Sequence, residues 1–377
     1  MLKEYQGNYD KNYLVSVDQV TINFPKNKYG EIKPASEIDK ELNLTKIFGP
    51  PNNSKALNHY SEAISYYDGQ IRVMWSNERV NQGTLIYFSA TGFKAWQNLG
   101  KLKGYTSTFK NLIQYLFQEN AKFTRLDVAI DVINSNLTVN ELHEQLQSKK
   151  IIFLDSLNRE ISTERQKFFG ENKVITGITC GARSSDKYLR IYDKKIEQNR
   201  ANAPYIDLAK SSKSWIRIEG EFKHKAAHAV LLDLKDNDDD KIRQKLIGYV
   251  VKQWRLVDLT HKLIPLWKKL SVLSDGEGNI SPLEPAIADR LIQELKWFLT
   301  GGATGVLYRI SKLFGETGKV DFFLFMFDYV DNSNEEKHYC IPNNMSKDLN
   351  LIRKQHPKLK NISYYLQQAV KEIDMER

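Results

Sequence analysis

Three stretches of the chain alternate between apolar residues and charged or phenolic ones. They cover residues 123–132, 189–194 and 215–223. Because successive side chains of a strand point to opposite faces, each stretch predicts a β-strand with one apolar face and one charged face. In chain order, the charged faces carry Arg125, Asp127 and Asp131, then Arg190, Tyr192 and Lys194, then Arg217, Glu219, Glu221 and Lys223.

The rest of the first 270 residues mixes strand and helix patterns. Further strands are predicted at 13–24, 59–67, 71–75 and 83–89, with a hairpin turn at Asp68-Gly69. Helical spacing covers 93–99 and 107–118, and Thr138 with Glu141 forms a capping box that opens another helix. The polar segment 158–172 is predicted to be a loop. Beyond residue 224 the pattern is mainly helical, over 226–234, 241–252 and 256–270.

A cluster of turn residues at 274–282 marks a candidate domain boundary. We therefore predict a catalytic domain at residues 1–273 and a mainly helical region at 274–377. Helical spacing recurs at 285–299, 306–314 and 362–375, and the aromatic stretch 320–330 is predicted to be a core helix or strand. The expected fold class is α+β, a mostly antiparallel sheet with helices packed on one face, followed by the helical region.

Charge and composition narrow the functional classes. The 377 residues include 55 Lys and Arg against 46 Asp and Glu, a formal charge of +9 that favours a polyanionic partner. There is no apolar run long enough for a membrane span, no apolar segment typical of a signal peptide, and no metal spacing for the two cysteines. A cytoplasmic location is expected. The glycines form neither a phosphate-binding loop nor a dinucleotide fingerprint, which disfavours an ATPase or a Rossmann enzyme.

The charged faces would form a site if the three strands were neighbours in one sheet. Four carboxylates would then converge, and such hard oxygen ligands suit Mg²⁺ or Mn²⁺: Asp127, Asp131, Glu219 and Glu221. The alternative is a solvated sheet face with cross-strand ion pairs.

Tyr192 is the candidate nucleophile because it lies between two cations, Arg190 and Lys194. Nearby positive charges are expected to lower the pKa of a phenol and to offset charge as it attacks a phosphodiester. Tyr188, four residues earlier on the same face, is the fallback.

Five blocks carry a resemblance to a known family, and they occur in the same order as in that family: 17–24, 88–92, 124–131, 189–197 and 215–223. The chain resembles the Rep_trans-type replication initiation factors from about residue 13 to 230. This family includes the initiators of staphylococcal-type rolling-circle plasmids and the related relaxases of Gram-positive conjugative elements. Arg-Leu-Asp-Val-Ala-Ile-Asp and Arg-Ile-Tyr-Asp-Lys are its most specific blocks.

The resemblance implies an enzyme that nicks DNA at an origin. Tyr192 would form a 5′-phosphotyrosine link and leave a 3′-hydroxyl primer, with Asp127, Asp131 and Glu219 as metal-site candidates. Partners would be double-stranded or cruciform origin DNA, single-stranded DNA, a host superfamily 1 helicase and a second copy of the chain as a homodimer. The C-terminal region would recognise the origin. A relaxase that nicks a transfer origin is the close alternative, and a non-enzymatic DNA-binding regulator is the alternative from another class.

Overall fold

The structure, a computed structural model, describes residues 12–278, 290–333 and 352–376, with short gaps at 28, 58, 77–81, 172–173, 201–202, 204, 354–355 and 359. The chain divides into two compact units, Met1–Leu283 and Glu284–Arg377. None of the helices in the described residues is long and apolar enough to cross a membrane.

The first unit is built on one large antiparallel sheet. Among the described residues its strand order is β2-β3-β4-β5-β1-β6-β11-β10-β9-β8, and β7 pairs with β12 in a second, two-stranded sheet. The strands are β1 Tyr13–Phe24, β2 Asn52–Asn53, β3 Glu62–Tyr66, β4 Ile71–Trp75, β5 Thr84–Phe88, β6 Lys122–Ile133, β7 Ile151–Asp155, β8 Gln166–Glu171, β9 Val174–Cys180, β10 Lys187–Asp193, β11 Trp215–Lys223 and β12 Trp254–Asp258. The three alternating stretches are therefore the adjacent strands β6, β11 and β10.

Helices pack against this sheet. They are α1 Ala35–Leu42, α2 Leu44–Phe48, α3 Ala90–Leu102, α4 Phe109–Gln118, α5 Val139–Gln147, α6 Lys194–Gln198, α7 Ile206–Ser211, α8 His224–Asp233, α9 Asp239–Gln253 and α10 Pro265–Leu273. The predicted capping box is present at the start of α5. Helix α9 comes so close to β11 that a Cβ on Gly220 would lie 2.9 Å from Val250, so a larger residue at this strand position would force Val250 to shift. The predicted α+β fold class is confirmed.

Three element predictions were wrong. The segment 158–172 contains β8, an edge strand whose side chains are mostly exposed, so that its sequence lacks the apolar period of a buried strand. Residues 256–270 are not one helix, because Trp254–Asp258 pairs with β7 before α10 begins. Strand β10 ends at Asp193, so Lys194 starts α6 and is not part of the strand.

The described residues of the second unit are mainly helical. The helices are α11 Arg290–Thr300, α12 Gly302–Ser333 and α13 Ile362–Glu376. Helix α12 is broken at Gly315, which has a φ of 69°. The stretch 320–330 is helical, but several of its large apolar side chains are exposed, so the prediction of a core element there was wrong.

Candidate active site

The antiparallel register brings the charged faces of β6, β11 and β10 together. Residues directly opposite each other in such a pair share a face of the sheet. The opposed pairs are Asp127 and Glu221, Asp131 and Arg217, Glu219 and Arg190, and Tyr192 and Arg217. All the predicted site residues of these strands therefore line one surface, with Lys194 at the adjoining start of α6.

This surface is not an ordinary solvated sheet face. Asp127 is only 3% exposed and Glu219 only 6%. Asp131, Arg217 and Glu221 are buried to a similar degree. Carboxylates are rarely buried unless they are paired or bind a ligand, so their partners decide what each can do.

Arg217 is the centre of a closed ion network, which we call the Arg217 network. Its guanidinium binds both oxygens of Asp131, at 2.8 and 2.7 Å, and donates a third bond of 2.7 Å to Asp18. Trp215 Nε1 also donates to Asp131 at 2.8 Å, and Lys94 Nζ lies 3.1 Å from Asp18. Both oxygens of Asp131 are thus occupied by protein donors.

Asp18 is a member of this network that the sequence reasoning missed. The register of β1 with β6 shifts between Val17 and Val20, so that Asp18 and Gln19 both stand opposite Asp127. Such a bulge changes the direction in which a side chain points. Here it redirects Asp18, which regular alternation would place on the apolar face of the strand together with Val20 and Ile22. Burial opposes ionisation of Asp18, but Arg217 and Lys94 outweigh it and lower its pKa. A lone carboxylate on the apolar side of a predicted strand was the available signal.

A second group, which we call the carboxylate cluster, comprises Asp127, Glu219 and Glu221. Arg125 binds both oxygens of Asp127, at 2.8 and 2.7 Å, and also Glu221 at 2.6 Å. Lys223 lies 2.5 Å from Glu221. Burial raises the pKa of Asp127 to about 7, with Glu219 and Glu221 adding to the effect and Arg125 opposing it. Burial likewise raises the pKa of Glu219, against Arg190.

Tyr192 contacts this cluster directly. Its hydroxyl donates to Glu219 Oε2 at 3.2 Å. The Arg190 guanidinium lies 5.2 Å and the Lys194 ammonium 5.6 Å from the centre of its ring, and Lys194 also binds Glu197 at 2.7 Å. The two predicted cations therefore do lie beside the phenol.

The expectation that these cations would lower the pKa of Tyr192 was wrong. Burial, followed by the negative charge of Glu219, raises the pKa of the phenol above its ordinary value, and Arg217 only partly opposes this. The hydroxyl is therefore protonated at neutral pH and must lose its proton during any attack. Tyr188, the fallback, is buried opposite Glu221.

Tyr192, Arg217 and the carboxylate cluster line an open cleft of about 890 Å³. Its other wall is the start of α3, which contributes Thr91, Lys94, Ala95 and Asn98. Ser89 caps this helix by accepting a bond from the Gly92 amide. Lys94 is thus a cleft residue that the strand pattern did not reveal.

The carboxylate cluster is the candidate site for a divalent cation. Within the described parts of the chain, no three His, Cys, Asp or Glu side chains are grouped closely enough to hold a metal ion as they stand. The chemistry of the carboxylate cluster nevertheless fits one, because its oxygens are hard donors and its raised pKa values indicate too little compensating positive charge. Asp131 fits poorly, since Arg217 and Trp215 already hold it.

Comparison with known proteins shows which family this chain resembles. Residues 121–262, which include β6, β10 and β11, match the model of the Rep_trans family, described as replication initiation factor. This confirms the resemblance to Rep_trans replication initiation factors.

One similar protein is "Putative DNA relaxase NicK" of Bacillus subtilis (strain 168). It is 26% identical over 288 residues, which are 75% of this chain and 76% of the relative. A similar fold is found in the structure of a rolling circle replication initiator protein from Geobacillus stearothermophilus. It matches with a TM-score of 0.52 and 18% identity, over 72% of this chain and 99% of the other.

Proposed function

We propose that this chain is a metal-dependent DNA nickase and strand transferase that initiates rolling-circle replication, with Tyr192 as the nucleophile. The observation that carries the proposal is the hydrogen bond from the Tyr192 hydroxyl to Glu219, in a cleft that also holds Arg190 and Lys194. The match of residues 121–262 to replication initiation factors supports the substrate class.

In the proposed reaction, the Tyr192 oxygen bonds to phosphorus and the bond from phosphorus to the 3′ oxygen breaks. The proton of Tyr192 passes to Glu219, which already accepts the hydrogen bond of the phenol hydroxyl. The released 3′ oxygen takes up a proton and becomes the primer hydroxyl. The 5′ phosphate stays linked to Tyr192, so the bond energy is kept for rejoining.

Arg190 and Lys194 are placed to offset negative charge on the phosphate oxygens, because both lie beside the Tyr192 ring. Asp127, Glu219 and Glu221 would hold Mg²⁺ or Mn²⁺. A bound ion would supply Lewis-acid polarisation of the scissile phosphate. Arg125 is 29% exposed and Arg190 is 39% exposed, so both side chains have room to turn away from the carboxylates.

The test is nicking of supercoiled DNA that carries the candidate origin, with and without Mg²⁺. Tyr192→Phe should abolish both the nick and a protein–DNA adduct that survives denaturing electrophoresis, while DNA binding remains. Tyr188→Phe is the matched control, since it removes a hydroxyl from the same strand and should still nick. Full activity of Tyr192→Phe would refute the assignment, and the absence of any adduct from the parent protein would favour a non-enzymatic regulator.

A relaxase acting on a transfer origin is a second candidate, favoured by the similarity to the Bacillus subtilis protein. The chemistry is the same, so the DNA target separates the two. If the protein nicks a transfer origin but not a replication origin, it is a relaxase. We further propose that the chain forms a homodimer, which its mass in solution would test. We propose that a host superfamily 1 helicase loads at the nick, which helicase-dependent unwinding would test. We also propose that residues 274–377 recognise the origin, which footprinting of a truncated chain would test.

A further inference from the structure

A second cleft lies on the other side of Tyr192. Its volume is about 910 Å³, and it runs over β8, β9 and β10. Tyr192, Arg190, Arg183 and Glu197 line both this cleft and the catalytic one. A strand that places a phosphate at Tyr192 can therefore continue from one cleft into the other.

A slot between two aromatic rings forms part of this second cleft. Phe169 of β8 and Tyr192 of β10 are both directly opposite Gly177 of β9, so all three share one face of the sheet. A Cβ on Gly177 would lie 3.7 Å from the Cβ of Phe169 and 3.9 Å from that of Tyr192, in ordinary contact with both. Since neighbouring strands are about 4.8 Å apart, the two aromatic residues stand roughly 10 Å apart over a glycine floor. The Cδ2 atom of Phe169 lies 3.8 Å from the same Cβ position, so the Phe169 ring leans over the glycine within this cleft.

The rim of the slot is basic. The neighbouring register row contains Lys167, Thr179 and Arg190. The lining of the cleft also includes the basic Arg165, Arg183 and Arg200 and the acidic Glu164, Asp193 and Glu197. Among the described residues, Arg165, Lys167 and Arg200 make no ion pair, so their charges are available to a ligand.

The packing of the sheet does not account for the position of the Phe169 ring or of the Thr179 hydroxyl. Phe169 is 53% exposed on the edge strand β8, where its ring gains little from burial. The Thr179 hydroxyl is buried beside it and has no hydrogen-bond partner in the described part of the chain. An aromatic ring and an unpaired hydroxyl flanked by free cations suit a ligand that has both a flat base and phosphates.

We propose that this slot binds a nucleobase of the single DNA strand whose scissile phosphate lies at Tyr192. The base stacks on Phe169 above Gly177, and its phosphates follow Lys167 and Arg165. The proposal rests on the proposed function, because it takes the strand nicked by Tyr192 as the ligand.

The test measures binding of fluorescein-labelled oligothymidylate, about twelve nucleotides long, by fluorescence anisotropy. All variants are made in the Tyr192→Phe background, which keeps the ring and removes the proposed cleavage. Phe169→Ala should weaken binding on the order of 10-fold or more, and Phe169→Trp should restore it. Val174→Ala is the matched control, since it trims another exposed apolar side chain of the same hairpin outside the cleft and should bind like the parent.

A second pair of variants fills the slot itself. Gly177→Leu should block it and weaken binding about as much as Phe169→Ala, whereas Gly177→Ala adds only a Cβ in ordinary contact and should bind nearly normally. Thermal melts check that each variant is folded. Parent-like binding by folded Phe169→Ala, or by folded Gly177→Leu, would overturn the proposal.

The slot and the nickase assignment can fail separately. If Tyr192→Phe still nicks, the proposed function fails, while the anisotropy series still decides whether the slot binds a base. If the parent nicks through Tyr192 but Phe169→Ala binds normally, the slot proposal fails and the nickase assignment stands.

Discussion

Two ion groups occupy the same sheet face and differ in where their cations lie. In the Arg217 network the central guanidinium is 5% exposed and binds carboxylates on two strands. In the carboxylate cluster, the cations reach in from the rim, and Arg125 is 29% exposed. A buried cation has no alternative partner, whereas a cation at the rim can move into water.

The pKa values follow the same division. In the Arg217 network, Arg217 and Lys94 overcome burial and lower the pKa of Asp18. In the carboxylate cluster, burial prevails and raises the pKa of Asp127 to about 7. In the Arg217 network the charges are therefore balanced, and the network stabilises the fold. The carboxylate cluster has too little positive charge, which a bound cation could supply.

The largest effect should come from Arg217→Met. Two buried carboxylates would lose their partner, and removing one side of a buried ion pair typically costs about 3–5 kcal/mol of unfolding free energy. Urea denaturation measures the loss. Arg125→Met is the comparison variant and should cost clearly less, because Asp127 can take up a proton near neutral pH. Equal losses would show that the two groups do not differ in this way.

Asp127→Asn should separate activity from stability. We expect nicking to fall on the order of 100-fold, with partial recovery in excess Mn²⁺, because an electrostatic group of the site is lost. The free energy of unfolding should not decrease at about pH 8, since the change removes a charge that burial disfavours. Asp240→Asn, on the exposed surface of α9, is the control and should leave nicking unchanged. Unchanged nicking in Asp127→Asn would argue against the carboxylate cluster as a metal site.

The smallest effect concerns the metal alone. Mn²⁺ at ten times its Kd should stabilise the parent chain by about 1.4 kcal/mol, seen as a higher melting temperature. At one fixed Mn²⁺ concentration, the shift should be larger at about pH 8 than at pH 6, because protons compete for a carboxyl whose pKa is raised to about 7. Glu219→Gln should lose most of it. A shift of the same size in that variant would place the ion elsewhere.

Several features of this molecule could be predicted from local pattern. The period-two alternation located β6, β10 and β11, and Thr138 with Glu141 located the start of α5. Edge strand β8 was missed because an exposed strand needs no apolar face. Strand β12 was missed because the adjacent Leu256 and Val257 are both buried, so its apolar residues do not alternate.

The order of residues along each strand specifies which side chains share a face, because alternation is a property of the backbone. It therefore determined that Tyr192 and the carboxylates were candidates for one site. Their partners depend on the three-dimensional fold: the bulge brings Asp18 to Arg217, and Arg217 binds both oxygens of Asp131. Burial and the proximity of Glu219 reversed the expected pKa shift of Tyr192, because desolvation depends on packing from elements far away in the chain.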